Sequence, residues 1–480
     1  MNLSNRVARA VKWSTVFTFL DPLAIFFINV FIYRYLNPED FGLFAIVNMV
    51  LSFMRMAQDL GLNNALVQKK IITEDYYSTA FWSILAVSLL LFGLAYFIAP
   101  VVSLFYNNEI LTSLITFTSI SFLFHGLTSV PRAILTRALD LKRIRTITFI
   151  VGIINSTTAL ILAYLNYQVW SLVLASVFSL FISSILFWIN VDWRPSFNFD
   201  KAKLKELLNF GIFISGTKLV SYIKKYIDQI IIGKFLGLEI LGIYYFAFKA
   251  INKPLVIISG MFGNVLLPTF SIIQDNIVKL KSLYMKVINY SSYLIMPAMA
   301  IIFILAPNII SFVYGTKWES SVPIIRIICL AGIFESLYNS AVAVKFSLGK
   351  PKLIMIINIL QTIVYVPLLL FAVKYSLEHI ALVATVITFV GFITLQFFIN
   401  QSLKIKLAEF IKILEKPIII MLLLILMLGL YETIFSDGIE TFIFDLILPL
   451  FIAFIAYSIM IIIFSKSILV DAYRLFIKSN

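Results

Sequence analysis

Basic side chains lie inside several segments of the chain that are otherwise apolar. Eight such residues occur in the 480-residue sequence: Arg55, Arg132, Lys218, Lys224, Lys225, Lys249, Lys253 and Arg326. The same segments contain four acidic residues: Asp21, Asp59, Asp228 and Glu335. A charge at the depth of a bilayer costs ~2.5–3.5 kcal/mol and must face a partner or water. Because four acids cannot pair with eight bases, the pattern predicts a wet, positively charged cavity that attracts anions.

Six of these bases form the candidate anion-binding site: Arg55, Lys218, Lys224, Lys225, Lys249 and Lys253. Lys224 and Lys225 lie midway along one apolar segment, and Lys249 and Lys253 lie four residues apart in the next, with no acid on their own face. Residues four apart share a helix face, and helices joined by a short loop are antiparallel neighbours. We therefore expect these four lysines to cluster. Arg55 adds a side chain that can bind phosphate through two hydrogen bonds, whereas lysine acts as a point charge. Asp59 follows Arg55 by four residues and is a candidate to neutralise part of its charge.

Three of the acids are candidate coupling or structural carboxylates: Asp21, Asp228 and Glu335. Asp21 precedes Pro22, whose ring breaks a helix and frees backbone groups that need partners. The carboxylate of Asp21 therefore either binds a coupled cation or satisfies a structural kink. Asp228 either forms a structural ion pair with Lys224 or Lys225 or serves as a coupling carboxylate. Arg132 and Arg326, near segment ends, either face the cavity or extend to the membrane surface.

The sequence does not indicate catalytic chemistry. It contains two His and one Cys, Cys329, which cannot supply a Cys/His metal site or a disulfide framework. It also lacks a glycine-rich phosphate loop that ends in Lys-Ser or Lys-Thr, so direct use of ATP is not expected. We therefore expect no catalytic residue, no metal and no cofactor.

Apolar segments of bilayer length make up most of the chain. Apolar residues account for 61% of the sequence and charged residues for 13%, whereas a soluble domain is nearer half apolar and a quarter charged. About 20 apolar residues cross the hydrocarbon core as a helix. The pattern predicts an all-α membrane protein with about fourteen transmembrane helices, at 11–35, 41–62, 78–102, 111–135, 144–165, 168–189, 207–235, 241–271, 287–313, 321–347, 353–375, 378–400, 417–435 and 442–464.

Positive charge alternates from one polar connection to the next. The termini and the even-numbered connections hold 26 basic residues, Lys345 among them, and the odd-numbered connections hold four. Cytoplasmic loops of membrane proteins are enriched in Lys and Arg. Both termini are therefore predicted to be cytoplasmic, and the number of helices to be even. This distribution explains the net charge of +14 without a nucleic acid as partner.

Two stretches of the sequence match after a shift of 200 residues. Arg34–Phe44 and Lys234–Tyr244 share a basic residue, a Leu, a Glu and a Gly in the same register. Two weaker matches follow in the same order: Ala99-Pro100 with Ala306-Pro307, and Leu139–Lys142 with Leu348–Lys352. The matches indicate an internal duplication.

The duplication predicts three domains. A first six-helix lobe occupies residues 1–195, a second occupies 196–402, and two extra helices with a cytoplasmic tail occupy 403–480. Because each lobe has an even number of helices, the lobes share one orientation and are related by a pseudo-twofold axis along the membrane normal. Transporters of this design bind substrate between the lobes and rock one lobe against the other.

Four runs of residues carry a resemblance to a known family. They are YLNPEDFG (Tyr35–Gly42), DLGL (Asp59–Leu62), ALVQ (Ala65–Gln68) and RAILTRALDLKR (Arg132–Arg143). These runs resemble the polysaccharide (Wzx-type) flippases of the multidrug/oligosaccharidyl-lipid/polysaccharide exporter superfamily. The first 145 residues hold the specific motifs, and the C-terminal half is similar mainly in the layout of its helices.

The resemblance implies a function, a substrate and a location. The function is translocation of undecaprenyl-diphosphate-linked oligosaccharide repeat units from the cytoplasmic to the outer leaflet, for surface polysaccharide biosynthesis. The location is the bacterial cytoplasmic membrane, so the lipid bilayer is a partner, and a polysaccharide polymerase is a further candidate partner. Two alternatives remain: a membrane-embedded polymerase or glycosyltransferase, which normally needs a large outer loop, and a cation-coupled drug antiporter, which favours an acidic cavity.

Overall fold

The computed structural model describes most of the chain. It covers residues 24–59, 61–69, 72–435 and 443–477, without the side chains of residues 59, 64, 209–221, 253–254, 256–265, 267–268 and 464–477. Regular structure within these ranges is helical throughout. Contacts divide the chain into two compact units, Met1–Tyr245 and Phe246–Asn480.

Helices of the first unit begin and end at recognisable signals. They are α1 (Ala24–Tyr35), α2 (Pro38–Asp59), α3 (Leu62–Gln68), α4 (Glu74–Tyr106), α5 (Ile110–Thr118), α6 (Ser121–Arg137), α7 (Leu141–Tyr164), α8 (Val169–Ile189), α9 (Lys201–Phe235) and the start of α10 (Leu238–Ile272). Asp200 caps α9 because its carboxylate accepts hydrogen bonds from the backbone N–H groups of Ala202 and Lys203, at 2.8 and 3.2 Å. Asn107 ends α4 in the left-handed conformation, with φ 54°.

The second unit contains the rest of α10 and a set of long helices. These are α11 (Ile277–Ile309), α12 (Val322–Ser347), α13 (Pro351–Ala372), α14 (Leu377–Leu403), α15 (Leu407–Phe435) and α16 (Leu448–Ile477). A π-helical turn, Ile310–Tyr314, and a 3₁₀ turn, Thr316–Ser321, connect α11 to α12. The fully buried Trp318 fixes this connection, and its ring centroid lies 4.4 Å from that of Phe246.

Eleven of the described helical segments are long and apolar enough to cross a membrane. They coincide with the second to sixth and the ninth to fourteenth predicted spans. The seventh and eighth predicted spans correspond to α9 and α10, which have 35 residues each, and the described part of the first predicted span is α1. The all-helical membrane fold is confirmed, while the number fourteen stays a prediction.

Helix α9 is attached to the first helices at both of its ends. At one end, Leu207 is buried in an apolar cluster with Leu66 of α3, Phe81 of α4 and Val130 of α6. At the other end, the Lys234 ammonium donates a hydrogen bond to the carbonyl of Phe105, at 2.5 Å. These attachments fix the middle of α9 beside α2, which it contacts.

Two glycines mark a close crossing of helix backbones. A Cβ atom built on Gly42 of α2 would lie 1.9 Å from the carbonyl oxygen of Leu238, and one built on Gly242 of α10 would lie 1.7 Å from that of Pro38. Real Cβ contacts essentially never fall under 3.0 Å, so glycine alone fits at both positions. We call this crossing the glycine seam. Gly42 and Gly242 are 200 residues apart, and so are Pro38 and Leu238, which makes the contact reciprocal.

Candidate functional site

Arg55 lies on α2 and is held by two uncharged side chains. Its guanidinium donates a hydrogen bond to Ser52 Oγ at 2.9 Å, one helical turn earlier, and another to His125 Nε2 of α6 at 3.3 Å. All three side chains are half-buried. Arg55 was predicted as a site residue from its charge alone, and its described partners leave that charge unneutralised.

Two tyrosines of α9 lie near the same arginine. Tyr222 and Tyr226 lie close enough to Arg55 to interact with it electrostatically, and their ring centroids are 4.5 Å apart. The Tyr222 hydroxyl donates a hydrogen bond to the carbonyl of Met49 in α2. The exposed Lys225 ammonium lies 5.2 Å from the centroid of the Tyr226 ring, a cation–π distance. The structure therefore brings two of the predicted bases, Arg55 and Lys225, to one group of tyrosines.

Asp228 is buried between α9 and the start of α10. Its side chain is buried and accepts a hydrogen bond from the Tyr244 hydroxyl of α10 at 2.6 Å and one from the backbone N–H of Gln229 at 2.7 Å. Tyr244 is fully buried as well. These bonds tie α9 to the start of α10 and give Asp228 a structural contact. Lys224, one turn before it, is half-buried.

The other predicted site residues are less fully described. Lys249 of α10 and Glu335 of α12 belong to the second unit, and both are exposed. The predicted meeting of Lys249 with the lysines of α9 stays a prediction. The backbones of Lys218, Lys253 and Asp59 are helical but their side chains lie outside the described part, and Asp21 lies outside it altogether. Among the described residues, no group of three His, Cys, Asp or Glu side chains could hold a metal ion.

Two basic residues of the second unit are held by backbone carbonyls. Arg326 Nε of α12 donates a hydrogen bond to the Phe303 carbonyl of α11 at 3.1 Å. Lys345, which the charge pattern placed in a connection, is instead buried inside α12, and that placement was wrong. Its ammonium donates to the Phe398 carbonyl at 2.9 Å and to Ser402 Oγ at 2.7 Å, both on α14. Carbonyl and hydroxyl oxygens of α14 thus replace water around the buried Lys345 ammonium.

The cavities found in the first unit are apolar and do not involve the predicted bases. One, of about 390 Å³, lies between α6 and α8 and is lined by side chains such as Phe124 and Ile185, with Arg194 at one end. The other, of about 480 Å³, lies among α5, α6, α7 and α8. Both linings include the exposed aromatic side chain of Phe181, and the second also includes that of Phe178, as expected for a surface in contact with lipid.

Ion pairs connect the start of α9 to α3 and α4, just before the predicted seventh span. Lys69 pairs with Glu206, which also accepts a hydrogen bond from the Tyr76 hydroxyl at 2.7 Å. Lys203 pairs with Asp75 at 2.6 Å. The hydrogen bond between Lys69 and Glu206 raises the pKa of the lysine and lowers the pKa of the glutamate. All four side chains are accessible to water, so each pair adds little stability.

His125, Tyr222 and Tyr226 were not predicted from the sequence as site residues. His125 occurs inside an apolar segment, and a polar side chain at that depth is itself a signal of function. The two tyrosines are four residues apart and therefore share a face of α9. The sequence does not show that His125 or the two tyrosines lie close to Arg55. His125, for example, is 70 residues away from it along the chain.

Comparisons with known proteins place this geometry in a family. A family model described as "polysaccharide biosynthesis protein" matches residues 31–323, more than half of the chain. The teichuronic acid biosynthesis protein TuaB of Bacillus subtilis is 26% identical over 371 residues, which cover 77% of each chain. The lipopolysaccharide biosynthesis protein WzxC of Escherichia coli is 21% identical over 376 residues, which cover 76% of this chain and 75% of that one.

A solved structure shares the fold along nearly the whole length. The lipid II flippase MurJ, in an inward closed conformation, matches with a TM-score of 0.77 and 17% identity, covering 96% of this chain and 100% of that chain. Fold, helical composition and relatives agree with the resemblance carried by the N-terminal motifs. The chain belongs to the polysaccharide biosynthesis protein family, and its resemblance to the Wzx-type flippases is confirmed.

Proposed function

We propose that this protein is a flippase that moves undecaprenyl-diphosphate-linked oligosaccharide repeat units from the cytoplasmic to the outer leaflet of a bacterial cytoplasmic membrane. The process is translocation, in which no covalent bond is made or broken, so the protein is a transporter rather than an enzyme. Polysaccharide biosynthesis relatives and a flippase-like fold support this proposal.

The observation that carries the proposal is the environment of Arg55. Within an apolar helical bundle, its described partners Ser52 and His125 are uncharged, and Lys225 adds a second positive charge beside the same tyrosines. A charge without a counter-ion at bilayer depth is costly. An anionic substrate that binds to this cluster would compensate its positive charge. A diphosphate offers that anion, and arginine binds phosphate oxygens through two parallel hydrogen bonds.

The remaining predicted bases extend this site in the proposal. Lys224, Lys249 and Lys253, with Lys218 closer to the cytoplasm, provide a diffuse positive field, which attracts the diphosphate and still allows it to leave. A single tight ion pair would instead retain the substrate. We further propose that the two six-helix lobes alternate in access around this cavity.

The glycine seam supports alternating access. It joins the starts of α2 and α10, the second helices of the two proposed lobes, beside the connections predicted to face outward. Contacts in which residue i of one copy meets residue j of the other, and the reverse, are typical of twofold symmetry. Backbones this close leave no passage between them. We infer that the seam closes the outer side between α2 and α10 in one of the alternating states.

Deletion of the gene tests the proposed function. Lipid-linked repeat units should accumulate on the cytoplasmic face of the membrane, and surface polysaccharide should be lost. A polymerase acting on the outer leaflet, which we propose as partner, should remain present and functional. Accumulation of the units on the outer face would instead identify a polymerase or glycosyltransferase defect and overturn the proposal. Unchanged polysaccharide with increased drug sensitivity would identify an antiporter.

A further inference from the structure

His125 is a side chain to which the proposed transport assigns no role. It lies on α6 between Phe124, which faces an apolar cavity, and Gly126, whose close neighbour is Ser88 of α4. Its imidazole is half-buried, and among the described residues the Arg55 guanidinium lies within hydrogen-bonding distance of Nε2, at 3.3 Å. Charged groups acting on it electrostatically are Arg55 of α2 and Arg132 of its own helix, both cations.

The chemistry of the two side chains fixes the direction of this hydrogen bond. A guanidinium carries five N–H donors and no acceptor. Arg55 therefore donates, and Nε2 of His125 accepts through its lone pair. A lone pair on Nε2 means that the imidazole is neutral and carries its proton on Nδ1. The acceptor that holds Arg55 thus brings no charge of its own.

We infer that His125 is a positioning residue that fixes Arg55 for phosphate recognition without neutralising it, an inference that rests on the proposed function. A carboxylate at this place would also accept the hydrogen bond, but it would form an ion pair with Arg55. The guanidinium would then be compensated before the substrate arrived, and its attraction for a diphosphate would fall. A neutral imidazole holds the guanidinium in place and leaves its full charge to the anion.

Ser52 completes the same arrangement. Its Oγ accepts from a second guanidinium nitrogen at 2.9 Å and is neutral as well. Two uncharged acceptors, one from α2 and one from α6, therefore orient Arg55 from two sides. Orientation matters because two-hydrogen-bond recognition of phosphate depends on the plane of the guanidinium.

Three substitutions of His125 separate the positioning role from a structural one. His125→Gln keeps a neutral acceptor near the position of Nε2 and should retain transport within about twofold of wild type. His125→Leu removes the acceptor and should lower transport roughly tenfold or more, the effect of losing a hydrogen bond to a charged group. His125→Glu keeps an acceptor but adds a negative charge, and it should lower transport as far as Arg55→Gln does.

The measurements use the full chain and two readouts. One is surface polysaccharide in a deletion strain that expresses each variant at equal membrane levels. The other is binding of undecaprenyl diphosphate to the purified protein in detergent, followed by native mass spectrometry, together with the melting temperature. His379, the other histidine of the chain, is exposed in the second unit, and His379→Glu is the matched control.

Each outcome has one reading. Loss of binding and transport in His125→Glu, with an unchanged or raised melting temperature, supports the inference, because a structural role would tolerate an ion pair. If His125→Glu binds and transports as well as His125→Gln while Arg55→Gln is defective, the positioning role is wrong and the proposed function stands. If Arg55→Gln itself transports normally, the proposed anion site is wrong.

Discussion

Replacing either glycine of the glycine seam by alanine should open it. Ordinary contacts of a Cβ atom begin at 3.4 Å, whereas the new atom would lie at 1.9 Å from Leu238 O or 1.7 Å from Pro38 O. The backbones would therefore have to separate by about 1.5 Å in Gly42→Ala and about 1.7 Å in Gly242→Ala. No side chain can rotate away, because the opposing atoms belong to the backbone.

The cost should be that of overpacking, about 1–3 kcal/mol or more for each single variant. A second alanine occupies space that the first has already forced open. The double variant should therefore cost much less than the sum of the two single variants, as expected for residues in direct contact. Thermal unfolding of the purified protein in detergent measures this, and surface polysaccharide in the complemented deletion strain reports the loss of the closed outer side.

Gly93 supplies the matched control. It also lies inside a helix, α4, but nothing among the described residues lies within 4 Å of a Cβ atom built there. Gly93→Ala should leave transport unchanged and stabilise the helix by up to ~1 kcal/mol, the difference in helix propensity between the two residues. The reasoning is refuted if Gly42→Ala and Gly242→Ala match Gly93→Ala in both melting temperature and polysaccharide production.

Other predictions concern topology, charge and pH. A reporter fused to the C terminus should be found in the cytoplasm, and an outward C terminus would contradict the predicted even number of helices. Changing Lys249, Lys253 and Arg55 together to Gln should abolish polysaccharide export at normal protein levels, and full export would mean that these bases are structural. At pH 7, Glu206→Gln should melt at a lower temperature than the wild-type protein. This difference should vanish as the pH falls below about 4, because the partner Lys69 lowers the pKa of Glu206 and the stabilisation is lost once the carboxylate is protonated. A difference that is independent of pH would contradict this ion pair.

The helices and the presence of Arg55 inside an apolar segment could be predicted from the sequence, because both follow from local composition. Apolar length sets where a helix crosses a bilayer, and a lone arginine in such a segment is visible without a structure. The partner His125 could not be predicted, since it meets Arg55 through the packing of α2 against α6, whereas Ser52 is one helical turn away on α2 itself. The placement of Lys345 in a connection was wrong for a related reason. Carbonyl groups of a neighbouring helix accept hydrogen bonds from its ammonium group, which water would do in a loop.

The proposed duplication is visible in the sequence as a match after a shift of 200 residues, but the contact between the matching segments is not. In the sequence, Gly42 and Gly242 are only matching letters in a weak alignment. Their role comes from the approach of two backbones, which depends on how helices cross and not on local propensity. The meeting of Lys249 with the lysines of α9 remains a prediction, because it too depends on how helices pack.

The glycine seam also has a consequence for genetics. When a bulky residue disrupts an interface between side chains, a suppressor can trim the opposing side chain. Here the opposing atoms are the carbonyl oxygens of Pro38 and Leu238, which every amino acid carries. A screen for suppressors of Gly42→Ala should therefore recover no changes at the facing residues, only distant substitutions that let whole helices shift.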